Sequence, residues 1–155
     1  MRFLLLALLI LLSACSTKTY EHTKSKVITI KTPKLKFSDL GYIKNTDEDI
    51  SVELFTAGKM VQNIKIYYLI CVNEGCMSKT AFNEEYLNAS YPKDILENII
   101  LGKHIYNRRN FIKTHDGFEQ YIKNDDVNIK YRVTENEIYF KDRRNSIMFK
   151  IRDVE

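Results

Sequence analysis

Val127 to Ile151 reads VNIKYRVTENEIYFKDRRNSIMFKI. Val127, Ile129, Tyr131 and Val133 alternate with Asn128, Lys130, Arg132 and Thr134, the period-two pattern of a strand with one apolar and one wet face. Glu135-Asn136 turns the chain into Ile138–Lys141, and Asp142–Asn145 turns it again into Ile147, Phe149 and Ile151. Connections this short join antiparallel strands. Just upstream, Phe118–Ile122 reads as a further strand of the same series.

The first half of the chain carries the same period. Ile50, Val52, Leu54 and Thr56 face one way, and Ser51, Glu53 and Phe55 the other. Ala57-Gly58-Lys59 turns the chain into a strand marked by Ile64, Ile66, Tyr68 and Ile70, ending at Cys71. Leu35 and Phe37, then Leu40 and Tyr42, alternate with a slip at Asp39–Gly41. This reads as one strand with a bulge near Gly41 or as two short strands. After Val72–Gly75, Cys76–Phe82 reads as a returning strand.

Between the halves the period changes. Asn83–Leu87 reads as a helical turn capped by Asn83. Pro92 opens a helix to Leu101, with Ile95, Leu96, Ile99 and Ile100 on one face and Gly102 just past its end. Lys103–Gly117 has no period. The fold class expected is α+β, mostly antiparallel β: a curved sheet or incomplete β-barrel with a short helical insertion on its open side.

The N-terminus has its own grammar. Arg2 precedes ten apolar residues, Phe3–Leu12, followed by Ser13, Ala14 and Cys15. Ten residues make a helix of roughly 15 Å, half a bilayer core, so the stretch reads as a secretory signal rather than a span. Leu12-Ser13-Ala14-Cys15 resembles the bacterial lipobox. That resemblance implies cleavage before Cys15 and acylation of its thiol and new amino group. Two or more acyl chains anchor a protein stably without a transmembrane helix. Ser16, rather than Asp, follows the cysteine, which by the family's sorting rule implies the outer membrane; the domain is expected to face the periplasm, with surface exposure the alternative. The divisions expected are 1–14 signal peptide, 15–31 lipidated Cys15 and flexible tether, and 32–155 one globular domain. Within 15–31 the polar STKTYEHTKSK carries the tether, and Val27–Ile30 is either its end or a first strand.

Composition excludes several classes. Apolar residues make up 45% and charged residues 28%, too rich for disorder. Ten Tyr and eight Phe with no Trp favour sheet. The net charge of +4 alternates in sign along the strands, which reads as solvated surface and not as a nucleic-acid site. No HExxH, GxSxG, GxxxxGK[ST] or GxGxxG occurs, and His104 and His115 lie apart on irregular chain. His115-Asp116 reads as a turn before Gly117, with no nucleophile to place beside it. The expectation is no enzyme, no cofactor and no metal. Cys71 and Cys76 are an even pair in an oxidising compartment; a disulfide would staple the Val72–Gly75 turn, and two free thiols are the alternative.

The apolar faces admit two readings: an ordinary core, or a cavity for acyl chains. The cavity would be lined by Val52, Leu54, Ile66, Tyr68, Ile95, Ile99, Ile129, Tyr131 and Phe149.

From Leu35 to Val154 the order of elements resembles the LolB/LolA family of outer-membrane lipoprotein receptors and carriers. The residues that carry it are Leu40-Gly41-Tyr42 in an early strand, Tyr91-Pro92 through Leu101-Gly102-Lys103 in the midway helix, Gly117-Phe118-Glu119-Gln120 before the Val127–Val133 strand, and the closing hairpin Glu137–Arg152. The resemblance implies an incomplete barrel that binds lipoprotein acyl chains, receives them from a periplasmic carrier and releases them to the membrane without a cofactor. A protruding loop of that family carries an exposed apolar residue used in membrane insertion; the sequence departs from it there, since in the corresponding turn, Val72–Gly75, only Val72 is apolar. The rival expectation is a structural or interaction lipoprotein, an immunoglobulin-like β-sandwich that binds another envelope protein through the Lys103–Gly117 loop with Arg108, Arg109 and Phe111.

Overall fold

The computed structural model describes residues 22–73 and 75–154. The signal, Cys15 and the tether up to Glu21 lie outside the described residues. Eleven strands form one antiparallel sheet: β1 (His22–Lys31), β2 (Lys36–Asn45), β3 (Ile50–Thr56), β4 (Lys59–Ile66), β5 (Leu69–Val72), β6 (Gly75–Ser78), β7 (Phe111–Lys113), β8 (Gly117–Lys123), β9 (Asn128–Thr134), β10 (Glu137–Asp142) and β11 (Ile147–Asp153). Their spatial order is β6-β5-β4-β3-β2-β1-β11-β10-β9-β8-β7. Two meanders therefore lie side by side, joined where β1 pairs β11, with Ile30 opposite Phe149. The sheet is not closed: β6 and β7 are its two edges.

That topology dictates where the helices go. The segment joining β6 to β7 must travel from one edge of the sheet to the other, so it crosses one face. It holds α1 (Lys79–Tyr86) and α2 (Ile95–Ile100). Ile95, Leu96, Ile99 and Ile100 are all buried, and they share one core with inward residues of both meanders, Ile28, Leu54, Ile66, Ile129 and Phe149 among them. The four α2 side chains, buried at roughly 1.5–3 kcal/mol each, attach the insert together with Phe82, Leu87, Tyr91 and Ile105. The eleven strands make one sheet and not two facing ones, which corrects the β-sandwich expectation.

Several local expectations are corrected. β1 begins at His22 in the middle of the sheet, so the strand takes in residues the reading to Lys31 gave to the tether; it pairs β2 from His22↔Asn45 to Lys31↔Lys36. β2 is one strand in continuous register with β1, without a bulge. Its inward positions hold Phe37, Asp39, Gly41 and Ile43, and Leu40 and Tyr42 are exposed on the other face. The apolar alternation breaks because Asp39 and Gly41 take inward positions, and at Gly41 a side chain does not fit: a Cβ there would lie 2.8 Å from the Glu53 carbonyl oxygen and 2.6 Å from Ile28 Cδ1. The Ile64–Ile70 stretch is two strands, because the chain turns at Tyr67-Tyr68. The strand expected over Cys76–Phe82 stops at Ser78, whose hydroxyl accepts from the Ala81 N–H and caps α1. Asn83 is no cap; it is buried inside α1. α2 starts at Ile95, three residues beyond Pro92.

Candidate functional site

At the seam between insert and sheet the topology leaves a large apolar contact without a shared hydrogen-bond ladder. On the sheet side, register aligns a lateral row. Gln120 lies opposite Tyr131, Tyr131 opposite Phe140, Phe140 opposite Phe149, and Phe149 opposite Ile30. Tyr131–Phe140 and Phe140–Phe149 ring centroids are each 6.1 Å apart in edge-on geometry. Tyr91, in the loop between α1 and α2, sets its ring 6.0 Å from Phe140. Phe82 and Tyr86, one helical turn apart in α1, stack at 4.8 Å.

Three buried polar clamps hold the insert down. The Tyr91 hydroxyl donates to Asp142 Oδ2 at 2.7 Å. Asp142, at the end of β10, is 0% exposed and also accepts from Asn145 Nδ2 and from the backbone N–H groups of Asn128 and Arg144. Burial alone would raise its pKa; the hydrogen bonds from Asn145, Tyr91, Asn128 and Arg144 outweigh it and hold the carboxyl below the usual range. Burial, and then the bond to Asp142, push the Tyr91 hydroxyl up, so it stays a donor. Gln120 is the second clamp. Its Oε1 accepts from the Ile105 N–H, and its Nε2 donates to the carbonyls of Ile105 and Arg109. Tyr131 is the third, donating to the Lys103 carbonyl at 2.9 Å, with burial raising its pKa.

The Gln120 clamp explains an unusual piece of backbone. Tyr106, Asn107 and Arg108 all have positive φ, at 47°, 52° and 64°. Each left-handed non-glycine residue costs on the order of 1–2 kcal/mol, and the bonds of Gln120 at both ends of the turn offset part of that. Within the insert, Asn83 Nδ2 donates to the Tyr91 and Pro92 carbonyls, and Lys79 bridges Asp94 and Glu97 at 3.0 and 2.8 Å.

The seam is closed tightly. An apolar void of about 10 Å³ lies between Phe82, Leu96, Ile30 and Phe149, no more than the roughly 10–15 Å³ that one water needs. The roomier space is outside: a groove of about 430 Å³ at the His22 end of the sheet, between Lys24, Ile43 and Asn45 on one bank and Val133–Ile138 on the other. Leu101 and Gly102 form its floor.

Eight of the nine expected lining residues meet in this interior: Val52, Leu54, Ile66, Ile95, Ile99, Ile129, Tyr131 and Phe149 are each at most 2% exposed. Tyr68 does not. It sits at the tip of the β4–β5 turn, 80% exposed, because the alternation that assigned it inward ends at Ile66. Val72 is half-buried in β5. Cys71 and Cys76 are opposite one another on β5 and β6 and are joined by a disulfide. Arg108 lies over the Phe111 ring, and His104 stacks on Phe118. Asp142, Gln120 and Asn83 were missed by sequence reasoning; a polar residue among apolar neighbours on an inward strand position was the signal for Gln120. Among the described residues no group of three or more His, Cys, Asp or Glu is placed to hold a metal, and no helix is long and apolar enough to cross a membrane.

Comparison with protein-family models, with curated proteins and with solved structures finds no match.

Proposed function

We propose that this chain is an outer-membrane lipoprotein, anchored through Cys15, that takes an acyl chain of a lipoprotein between its helical insert and the aromatic row of its sheet. The observation that carries this reading is the pairing of an unclosed sheet with an insert seated by apolar side chains. Lifting α2 breaks no strand pairing: it parts Ile95, Leu96, Ile99 and Ile100 from strand side chains and gives up the Tyr131 hydroxyl's bonds to the Asn98 and Lys103 carbonyls. An acyl chain replaces them with surface of the same kind, at roughly 25 cal/mol per Å² on either side of the exchange. The near-absence of void means that uptake and lid movement are one event. No cofactor enters. The lipobox and the order of six strands, insert and five strands support a LolB-like role in localising lipoproteins, with cargo delivered by a periplasmic carrier.

Residues 16–155 contain every described element, so they form the test sample. Native mass spectrometry with a lipidated peptide is expected to show a one-to-one complex that Ile99→Glu abolishes and Ile112→Glu, on the exposed surface, leaves intact. A folded domain that takes no peptide would remove the reading.

The second reading is a non-enzymatic interaction lipoprotein with a solid interior. The three buried clamps favour it, since they fix the insert and hold the left-handed turn that presents Arg108, with Arg109 directly after it. Recovery of a stoichiometric envelope-protein partner that Arg109→Glu releases would support it.

A further inference from the structure

The Cys71–Cys76 disulfide sits on the outward face of the sheet's edge, and its two sulfurs differ. Cys71 is 6% exposed and Cys76 is exposed. β6, which carries Cys76, has β5 on one side and, among the described residues, no strand on the other. The Tyr67 hydroxyl lies 3.1 Å from Cys71 Sγ and 3.8 Å from Cys76 Sγ. Lys65 stands directly opposite Cys71 in the β4–β5 register, exposed and without an ion-pair partner among the described residues. Exchange requires access to the sulfur attacked and stabilisation of the sulfur that leaves.

We propose that this pair is a thiol–disulfide exchange site, attacked at Cys76 by a dithiol oxidoreductase. The attacking thiolate forms a mixed disulfide with Cys76 Sγ as the Cys71–Cys76 bond breaks. The electron pair leaves on Cys71 Sγ, where the Tyr67 O–H donates to the new thiolate and Lys65 supplies positive charge, before a proton from solvent completes the thiol. The second thiolate of the oxidoreductase then displaces Cys76, which takes up the second proton, and the oxidoreductase departs as a disulfide. Run in reverse, the same steps form the bond.

The site has a mechanical consequence. β6 is held by four register pairs to β5, one of them the disulfide pair itself. Two residues beyond Cys76, Ser78 caps α1. Opening the disulfide therefore loosens the strand from which the helical insert starts. This assignment stands apart from the acyl-chain reading and survives its failure.

The test uses the full-length oxidised chain, without denaturant, and an oxidoreductase from which the resolving cysteine has been removed. A mixed disulfide mapped by peptide mass spectrometry to Cys76 is expected. Tyr67→Phe is expected to slow its formation about tenfold, the loss of one charge-assisted hydrogen bond to the leaving thiolate. A Tyr67→Phe chain that melts like the parent in the oxidised state ties the slowing to exchange rather than to folding. Amide hydrogen exchange across residues 76–86 is expected to accelerate on full reduction. An adduct on Cys71, exchange only in denaturant, or an unchanged rate in Tyr67→Phe would overturn the proposal.

Discussion

The Tyr91 hydroxyl donates to Asp142 Oδ2 at 2.7 Å, and this bond joins the helical insert to the β10–β11 turn. Both groups are buried, so the bond cannot be exchanged for one to water. Tyr91→Phe removes the donor and leaves a buried carboxylate one partner short. The expected cost is about 1–3 kcal/mol of stability in urea denaturation. Hydrogen exchange is expected to accelerate at residues 88–101 while β2–β4 stay protected.

The same carboxylate sets an acid limit. The Asp142 pKa is depressed in the folded chain, so its contribution is fully present above the unfolded-state value of about 3.9 and is lost as pH falls through the folded value. Insert protection should therefore fall below about pH 4. Asp142→Asn should be less stable at neutral pH and show a flatter acid dependence, read as urea midpoints from pH 7 to pH 2.5.

Gln120→Ala is expected to release the left-handed turn. It removes the partner of the Ile105 N–H and of the Ile105 and Arg109 carbonyls at once. A loss of about 2–4 kcal/mol is expected, with new backbone chemical shifts centred on Tyr106–Arg108. Shifts confined to β8 would contradict the clamp.

Gly41→Ala tests the reading of β2. The added Cβ meets the Glu53 carbonyl and Ile28, so the strand must move away from β3. A destabilisation of about 1–3 kcal/mol is expected, whereas Leu40→Ala on the exposed face should cost under about 1 kcal/mol.

These residues also show what the sequence made legible. The Val127–Ile151 strands were readable because alternation there is unbroken and the turns are polar. Ile95, Leu96, Ile99 and Ile100 were readable as one helix face. Three features hid the rest. β1 starts with polar residues because His22, Lys24 and Lys26 line an open groove rather than the core. The β4–β5 turn uses Tyr67-Tyr68 instead of Gly, Asn or Pro, so Tyr68 passed for an inward strand residue. The left-handed turn at Tyr106–Arg108 contains no glycine; its conformation depends on Gln120 from β8, which local sequence does not encode. The clamps on Asp142 and Tyr131 are likewise made between residues distant in the chain.

The central claim is that an acyl chain enters where the insert meets the sheet. A lipidated peptide with a photoreactive group at the acyl terminus, irradiated with the full-length chain in membranes, tests it most directly. The account predicts crosslinks to Tyr131, Phe140, Phe149 and the α2 face, lost when a cysteine pair engineered across the seam locks the insert down. Crosslinks confined to the exposed face around Leu40 and Tyr42, or crosslinks that survive the lock, would contradict it.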